Sequence, residues 1–188
     1  MLFRSQDTLI SVCRATPGSI SSNPAVQFSN DGSGGFLADT SHSKSQVGFG
    51  VKYTNKGTNP QGKVQLEIKS DHNSAGQIDG KIHTYQIDSN SISTLNVSLS
   101  SSPTVPTTAT FEAKCNVTEL LDNGTTVCLD GGALITLTLN STAQTIGVTV
   151  NKSKNNGGMW FSSSWSGTKT VEKPASNAST TVKPITIQ

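Results

Sequence analysis

The stretch QVGFGVKYT, residues 46–54, decides the fold class, because apolar side chains occupy every second position in it. These positions are Val47, Phe49, Val51 and Tyr53. A period of two places alternate side chains on opposite faces of an extended chain. The stretch therefore predicts a β-strand with one face against a core and the other toward solvent.

The same period recurs in short segments along the chain. These segments are KVQLEIK (63–69), KIHTYQI (81–87), SISTLNVSL (91–99), ATFEAKCNV (109–117), TTVCL (125–129), ALITLTL (133–139), TIGVTV (145–150) and GMWFSSSW (158–165). We expect turns at 88–90, 122–124 and 130–132, where Asp, Asn, Ser and Gly cluster. Short strands at such regular spacing predict an all-β fold, an antiparallel β-sandwich or partly open barrel of about 9–11 short strands.

The composition agrees with this fold class and with a single domain. Apolar residues make up 32% of the chain and charged residues 14%, and Ser, Thr, Asn and Gly are abundant. Thr and Val favour strands, and Gly, Asn and Ser favour turns. A disordered chain is the alternative, but the low net charge and the alternating segments weigh against it. We expect one β domain over 26–173, an irregular lead-in over 1–25 that is foreign to it, and a tail or final strand over 174–188.

The charge pattern excludes some classes of partner. The net charge is +2, from 14 basic and 12 acidic residues scattered along the chain, so no basic surface for nucleic acid is predicted. No apolar run is long enough to span a bilayer, so no membrane insertion is expected in this segment. Six N-x-S/T sequons are compatible with export. We expect a secreted or cell-surface location, with the signal outside this segment.

The sequence contains no recognisable catalytic motif. It lacks the G-x-S-x-G, H-E-x-x-H, P-loop and G-x-G-x-x-G spacings. His83 with Asp88 and a serine would make a triad, but serine is too common here for that pattern to carry weight. The sequence therefore predicts a protein that is not an enzyme.

Three cysteines are present, and two of them flank a turn signal. Cys115 and Cys128 lie on either side of Asp122-Asn-Gly124, so a hairpin would bring them close and favours a disulfide between them. The alternative is two independent thiols. Cys13 would be left unpaired, which is unusual in an exported protein.

Oxygen-rich turns make weak calcium candidates of Asp71, Asn73 and Asp79. The loop DHNSAGQIDG (71–80) matches only the first, third and sixth positions of an EF-hand loop, and Ile82 stands where the bidentate glutamate belongs. Ordinary turns, in which Asx side chains bond the nearby backbone, are the favoured interpretation. We expect no other metal or cofactor.

The most distinctive local feature is the aromatic segment GGMWFSSSW (157–165). In an extended chain Trp160 and Phe161 would face opposite sides of the sheet. Packing into the core is the favoured role for the tryptophans, since large apolar groups are scarce here. The alternative is a sugar-stacking platform formed by Trp160, Trp165 and Tyr53.

Four segments in order, 32–68, 82–97, 109–139 and 145–172, resemble an accessory β domain of large exported prokaryotic proteins. The matching elements are Gly-Gly-aromatic at 34–36, the strand from Phe49 to Tyr53, Gly-Gly-x-Leu from Gly131, and W-F-S-S-x-W-x-G-T-K-T-V-E at the end. Such domains follow or end arrays of immunoglobulin-like, PKD-like or propeller modules. The chain departs from the pattern in its Cys115 and Cys128 pair, in the loop after ALITLTL, and in its tail.

The resemblance implies a non-catalytic module that gives spacing, stability or adhesion, with neighbouring domains as its partners. A glycan or another surface protein is a further candidate partner. The sequence leaves two alternatives open: a carbohydrate-binding module that uses the aromatic residues, and an uncharacterised hydrolase with a dispersed site.

Overall fold

A computed structural model describes residues 18–23, 25–29, 34–39, 44–53, 59–99, 106–153, 157–166, 169–172 and 179–188. Every regular element in these ranges is a β-strand, so the predicted all-β class is confirmed. No helix among the described residues is long and apolar enough to cross a membrane. Cys13 lies outside the described ranges.

Twelve strands are described, slightly more than the predicted number. They are β1 (Ser19–Ser22), β2 (Val26–Ser29), β3 (Lys44–Tyr53), β4 (Pro60–His72), β5 (Ile78–Leu99), β6 (Pro106–Leu120), β7 (Thr126–Asn140), β8 (Thr145–Asn151), β9 (Met159–Ser166), β10 (Lys169–Glu172), β11 (Ser179–Val182) and β12 (Ile185–Ile187).

Ten of these strands form one antiparallel sheet that curls into a half-barrel. Its strand order is β12-β1-β3-β4-β5-β6-β7-β8-β9, and β2 pairs with β3 as well. From β3 to β9 each strand pairs with its neighbour in sequence, as expected where short turns connect antiparallel strands. Strands β10 and β11 form a separate two-stranded sheet.

Two of the predicted turns are β-bulges inside long strands. Strand β5 runs through 88–90 and β7 runs through 130–132. The pairing register shifts between Ser89 and Ser91 in β5 and, opposite 130–132 of β7, between Cys115 and Val117 of β6. A bulge needs the same small and polar residues as a turn, and it bends the strand instead of reversing it. The bulges therefore help to curl the sheet, whereas the predicted turn at 122–124 does reverse the chain.

The core lies on the concave face and follows the predicted alternation. In β3 the buried apolar positions are Val47, Phe49 and Val51, while the glycines between them face outward. The largest fully buried side chains include Tyr85, Phe111 and Phe161. Burial of each ring stabilises the fold by about 2–3 kcal/mol.

A crossing segment, residues 34–39, connects the two halves of the curled sheet. The Gly34 amide donates to the Ser162 carbonyl at 2.8 Å, and the Leu37 amide donates to the Trp160 carbonyl at 2.8 Å. Strand β2, just before this segment, is paired with β3 instead. Gly35 has φ +95°, and a Cβ there would lie 2.6 Å from the Trp160 carbonyl oxygen, so only glycine allows this approach.

The side chain of Gln144 closes the opposite end of the half-barrel. Its amide nitrogen donates to the Ile185 carbonyl at 2.9 Å, and its carbonyl oxygen accepts from the Ile185 amide at 2.9 Å. Gln144 lies in the turn between β7 and β8, has φ 55° and is 2% exposed. Its carboxamide thus bonds to the backbone of β12 as a neighbouring strand would.

Both ends of the described chain belong to the sheet. β1 lies within the predicted irregular lead-in, and it pairs with β3 and β12. The Ser19 amide donates to the Gln188 carbonyl at 2.6 Å, and the Gln188 amide donates to the Ser19 carbonyl at 2.9 Å. Ile20 and Ile187 enter the core from these strands, and this burial holds the ends in place.

We predict that Gln144→Ala destabilises the domain by about 2–4 kcal/mol, because it leaves the buried Ile185 amide and carbonyl without these bonds. The measurement is the free energy of unfolding in a denaturant titration. Thr142→Ala, at an exposed position of the same turn, is the control and should cost less than about 0.5 kcal/mol. Equal stability of the two variants would contradict the closing role of Gln144.

Candidate functional site

Trp160 is buried and anchors the crossing segment. It is 5% exposed, and its indole N–H donates to Asp130 Oδ2 at 3.0 Å. Phe36 meets it edge to face with ring centroids 6.2 Å apart. The Lys152 Nζ lies 3.1 Å from the centroid of the Phe36 ring and 4.3 Å from that of Trp160. These contacts leave Trp160 no open face for a sugar ring.

A bulge explains why Trp160 and Phe161 are both buried instead of facing opposite sides. Val150 pairs with Phe161, but Asn151 pairs with Met159. Trp160 is therefore an extra residue opposite a continuous β8, and its side chain turns inward with that of Phe161. Gly157 and Gly158, both with positive φ, immediately precede β9.

Asp130 organises this cluster from within β7. Its Oδ1 accepts from the Gly132 amide at 3.0 Å, and its Oδ2 accepts from the Ser153 amide at 2.8 Å. Burial alone would raise the pKa of Asp130, but the hydrogen bonds from Ser153, Trp160 and Gly132 outweigh it and lower the pKa. Asp130 is thus held ionised by structural contacts, although the sequence indicated only a turn residue.

The other two aromatic candidates lie elsewhere in the sheet. Trp165 is partly buried against the core on β9, where it pairs with Ile146. Tyr53 is partly buried on β3, and its hydroxyl donates to the Leu95 carbonyl at 2.9 Å. Trp160 and Trp165 stand near opposite ends of β9. The three side chains do not form one exposed platform.

His83, near the start of β5, lies between two carboxylates. Its Nδ1 lies 2.8 Å from Glu119 Oε1, and its Nε2 lies 3.0 Å from Asp79 Oδ1. A neutral imidazole has one N–H, so only the imidazolium ion can donate to both carboxylates. Burial alone would lower the pKa of His83, but these hydrogen bonds and the two negative charges raise it overall. The bond from His83 lowers the pKa of Asp79.

The triad considered from the sequence does not form. Asp88 accepts from Gln65 Nε2 at 2.9 Å and lies 3.4 Å from Lys63 Nζ, so it is engaged away from His83. Glu119 was not predicted as a partner of His83. It lies on the neighbouring strand 36 positions along the chain, and only the β5–β6 register brings the two together.

The weak calcium candidates each bond to a different partner. The side-chain Oδ1 of Asn73 accepts from the Ala75 and Gln77 amides at 3.0 Å, which is the Asx turn favoured from the sequence. Asp71 Oδ1 lies 2.6 Å from His72 Nδ1, and Asp79 bonds to His83. The described residues include no group of three or more His, Cys, Asp or Glu placed to hold a metal ion.

The predicted disulfide between Cys115 and Cys128 is wrong, because both thiols are free. Cys115 lies opposite Ala133, and Cys128 lies opposite Thr118, three residues farther along β6. That offset is about 10 Å of strand, beyond the roughly 7 Å between Cα atoms that a disulfide spans. Cys115 also points into the core, whereas Cys128 is exposed.

Large exposed apolar side chains gather at the end of the half-barrel that contains His83. Among the described residues the exposed set is Phe36, Ile78, Ile82, Leu120, Leu121 and Val127. Ile78 and Ile82 begin β5, and the other residues lie in the crossing segment or the β6–β7 hairpin. We call this end the apolar end. Such clustering on a surface marks contact with a partner more often than scattered exposure does.

We predict that His83→Gln lowers stability by about 0.5–1 kcal/mol between roughly pH 4 and 6.5. Folding raises the pKa of His83. The stabilisation by its charged form is therefore complete below the pKa of the unfolded state, and it is lost as the pH rises through the pKa of the folded state. Below that window Asp79, whose pKa is lowered, begins to protonate. The measurement is the unfolding midpoint at pH 6 and pH 9, and the difference from wild type should shrink at pH 9.

The control for His83→Gln is Lys81→Gln, which removes a neighbouring exposed charge. Lys81→Gln leaves the imidazole of His83 and both of its carboxylate partners in place, so its effect should be the same at both pH values. A His83→Gln effect that is equally constant would contradict the charged state of His83.

We predict that only Cys128 reacts with iodoacetamide in the folded Cys13→Ser variant. Burial and the nearby charge of Asp130 raise the pKa of Cys115 to about 12, so its thiol is neutral and enclosed. Mass spectrometry should show one adduct on the native protein and two after denaturation. Two adducts at equal rates on the native protein would contradict the placement of Cys115 in the core.

The chain matches no family model, no curated protein and no solved structure with which it was compared.

Proposed function

We propose that the chain is a non-catalytic accessory β domain of a secreted or cell-surface protein, and that it presents its apolar end to a partner. The observation that carries this proposal is the arrangement of the two ends. Gly18 and Gln188 lie side by side beyond β1 and β12, near Val97 late in β5. The exposed apolar side chains lie at the start of β5 and at the β6–β7 turn.

This arrangement favours adhesion over spacing. A module that adds length to a stalk has its entry and exit at opposite ends. Here Ser19 and Gln188, in the region of the first and last described strands, are joined by two backbone hydrogen bonds. A chain that continued from both residues would leave from the same end. The domain would then project sideways, with the apolar end farthest from the attachment.

The polar groups support a non-catalytic role. Both carboxylates nearest His83 bond to its ring, and Asp130 is saturated by backbone and indole donors. A general acid or base must instead have a proton site open to a substrate. The buried position of Trp160 and the hydroxyl bond of Tyr53 similarly reduce the case for a carbohydrate-binding surface.

A glycan-array screen tests this proposal against the carbohydrate-binding alternative. We expect the wild-type domain to retain no glycan above the level of Trp165→Ala. Trp165→Phe is the matched control, because it keeps an aromatic ring at the same place. A glycan retained by the wild type and Trp165→Phe, and lost by a folded Trp165→Ala, would overturn the proposal in favour of a carbohydrate-binding module.

A further inference from the structure

Strand β7 extends past the strand that covers it. Its pairing with β8 ends where Leu134 meets Asn151. Within the described part of the chain, Thr126–Cys128 pair with β6 alone. We call Thr126–Cys128 the free edge. It belongs to the β6–β7 hairpin at the apolar end.

The backbone groups of the free edge point away from β6 at two positions. The Leu121 amide donates to the Thr125 carbonyl at 2.8 Å, so these residues form a hydrogen-bonded pair at the turn. Such pairs alternate with non-bonded ones along an antiparallel ladder. Thr126 and Cys128 lie opposite Leu120 and Thr118 and therefore form no backbone hydrogen bonds with β6 at these positions. Their N–H and C=O groups point outward instead.

We propose that the free edge pairs antiparallel with the free edge of a second copy of this chain. The inference rests on the proposed function, in which the apolar end meets a partner. A two-fold axis beside Val127 would place Thr126 opposite Cys128 of the partner subunit, and Cys128 opposite the partner's Thr126. Each of these pairs exchanges two backbone hydrogen bonds, so all the outward groups at both positions are satisfied.

The side chains of the edge suit a second copy. Val127 is 41% exposed, and in this register it meets the partner's Val127 as a non-bonded pair, the closest kind of cross-strand contact. Thr126, Val127 and Cys128 carry no charge and include no proline, the features that commonly block the edges of sheets. Two copies therefore approach without repulsion between like charges along the edge.

The β6–β7 turn meets the end of β8 under the same two-fold axis. In this register the turn that contains Asp122 in one copy approaches the end of β8 in the other, where Lys152 Nζ lies over the rings of Phe36 and Trp160. Leu121, also exposed in that turn, gains apolar contact there. Gly18 and Gln188 lie at the other end of the half-barrel, near Val97 late in β5.

The shared surface is short, so the association is weak. Interfaces below about 1,200 Å² are characteristic of transient complexes, and we expect a dissociation constant on the order of 10 μM to 1 mM. Sedimentation velocity of the whole chain from about 5 μM to 1 mM measures this directly. The average mass should rise from the 19.7 kDa monomer toward twice that value.

A matched pair of variants isolates the backbone hydrogen bonds. Cys128→Pro removes an N–H that points away from β6, a position at which an edge strand tolerates proline. Cys128→Ser removes the same thiol but keeps the N–H. We expect Cys128→Ser to associate like the wild type and Cys128→Pro to need at least tenfold higher concentration. Equal association of the two variants would overturn the proposal.

A side-chain variant keeps the test decisive if Cys128→Pro does not fold. Val127→Lys places like charges face to face on the two-fold axis, while Val127→Thr keeps the edge neutral, and both replace an exposed side chain. Only Val127→Lys should abolish association, with unfolding midpoints otherwise similar. A folded wild-type chain that stays monomeric up to 1 mM would overturn self-pairing. The glycan screen tests the proposed function separately, and its outcome does not depend on self-pairing.

The register of the pairing is tested separately with the variant Val127→Cys, combined with Cys13→Ser and Cys128→Ser. Oxidised glutathione should convert two such chains into one disulfide-linked dimer, with two molecules of reduced glutathione released in successive exchange steps. A non-bonded pair holds its Cα atoms about 4.5 Å apart, within the range of a disulfide. Moving the new cysteine to Thr126 should reduce this dimer at least fivefold, and equal yields would contradict the register.

Discussion

The half-barrel depends on one constraint: a curled sheet that does not close on itself must satisfy the backbone at its edges. At the β12 edge, the side-chain amide of Gln144 donates to and accepts from the backbone of Ile185. At the β9 edge, the crossing segment supplies the hydrogen bonds. Since buried backbone groups without partners cost as much as lost hydrogen bonds, both closures are needed before the concave face can exclude water.

The parts of the fold that the sequence predicted are those governed by local alternation. Val47, Phe49 and Val51 face the core as their spacing requires, and the same holds for most segments read with a period of two. The bulges were missed because Asp88-Ser-Asn90 and Asp130-Gly-Gly132 have the composition of turns. Whether such residues reverse a strand or bend it depends on the neighbouring strands, and those lie far away in sequence.

The candidate site was harder to predict, because its contacts are set by register. His83 meets Glu119 only when β5 and β6 are aligned. Asp130 reaches Trp160 past the end of β8, whose pairing with β7 stops at Leu134. The Cys115 and Cys128 pairing failed for the same reason, since the bulge in β7 and the length of the hairpin displace the thiols. The interpretation that Trp160 packs into the core agrees with its burial, although the sequence did not predict the β-bulge at this position.

The pairing of β1 with β12 has a consequence for how the chain folds. Strands β3 to β9 connect neighbours in sequence, so they can assemble through short loops at low entropic cost. Ile20, by contrast, meets Ile187 near the other end of the chain, and contacts of such separation form slowly. During synthesis on the ribosome, β1 can pair with β3, but its other edge stays unpaired until β12 has emerged. The central meander therefore precedes the outer edge in folding, and the exposed edge of β1 is a point where a nascent chain needs protection from aggregation.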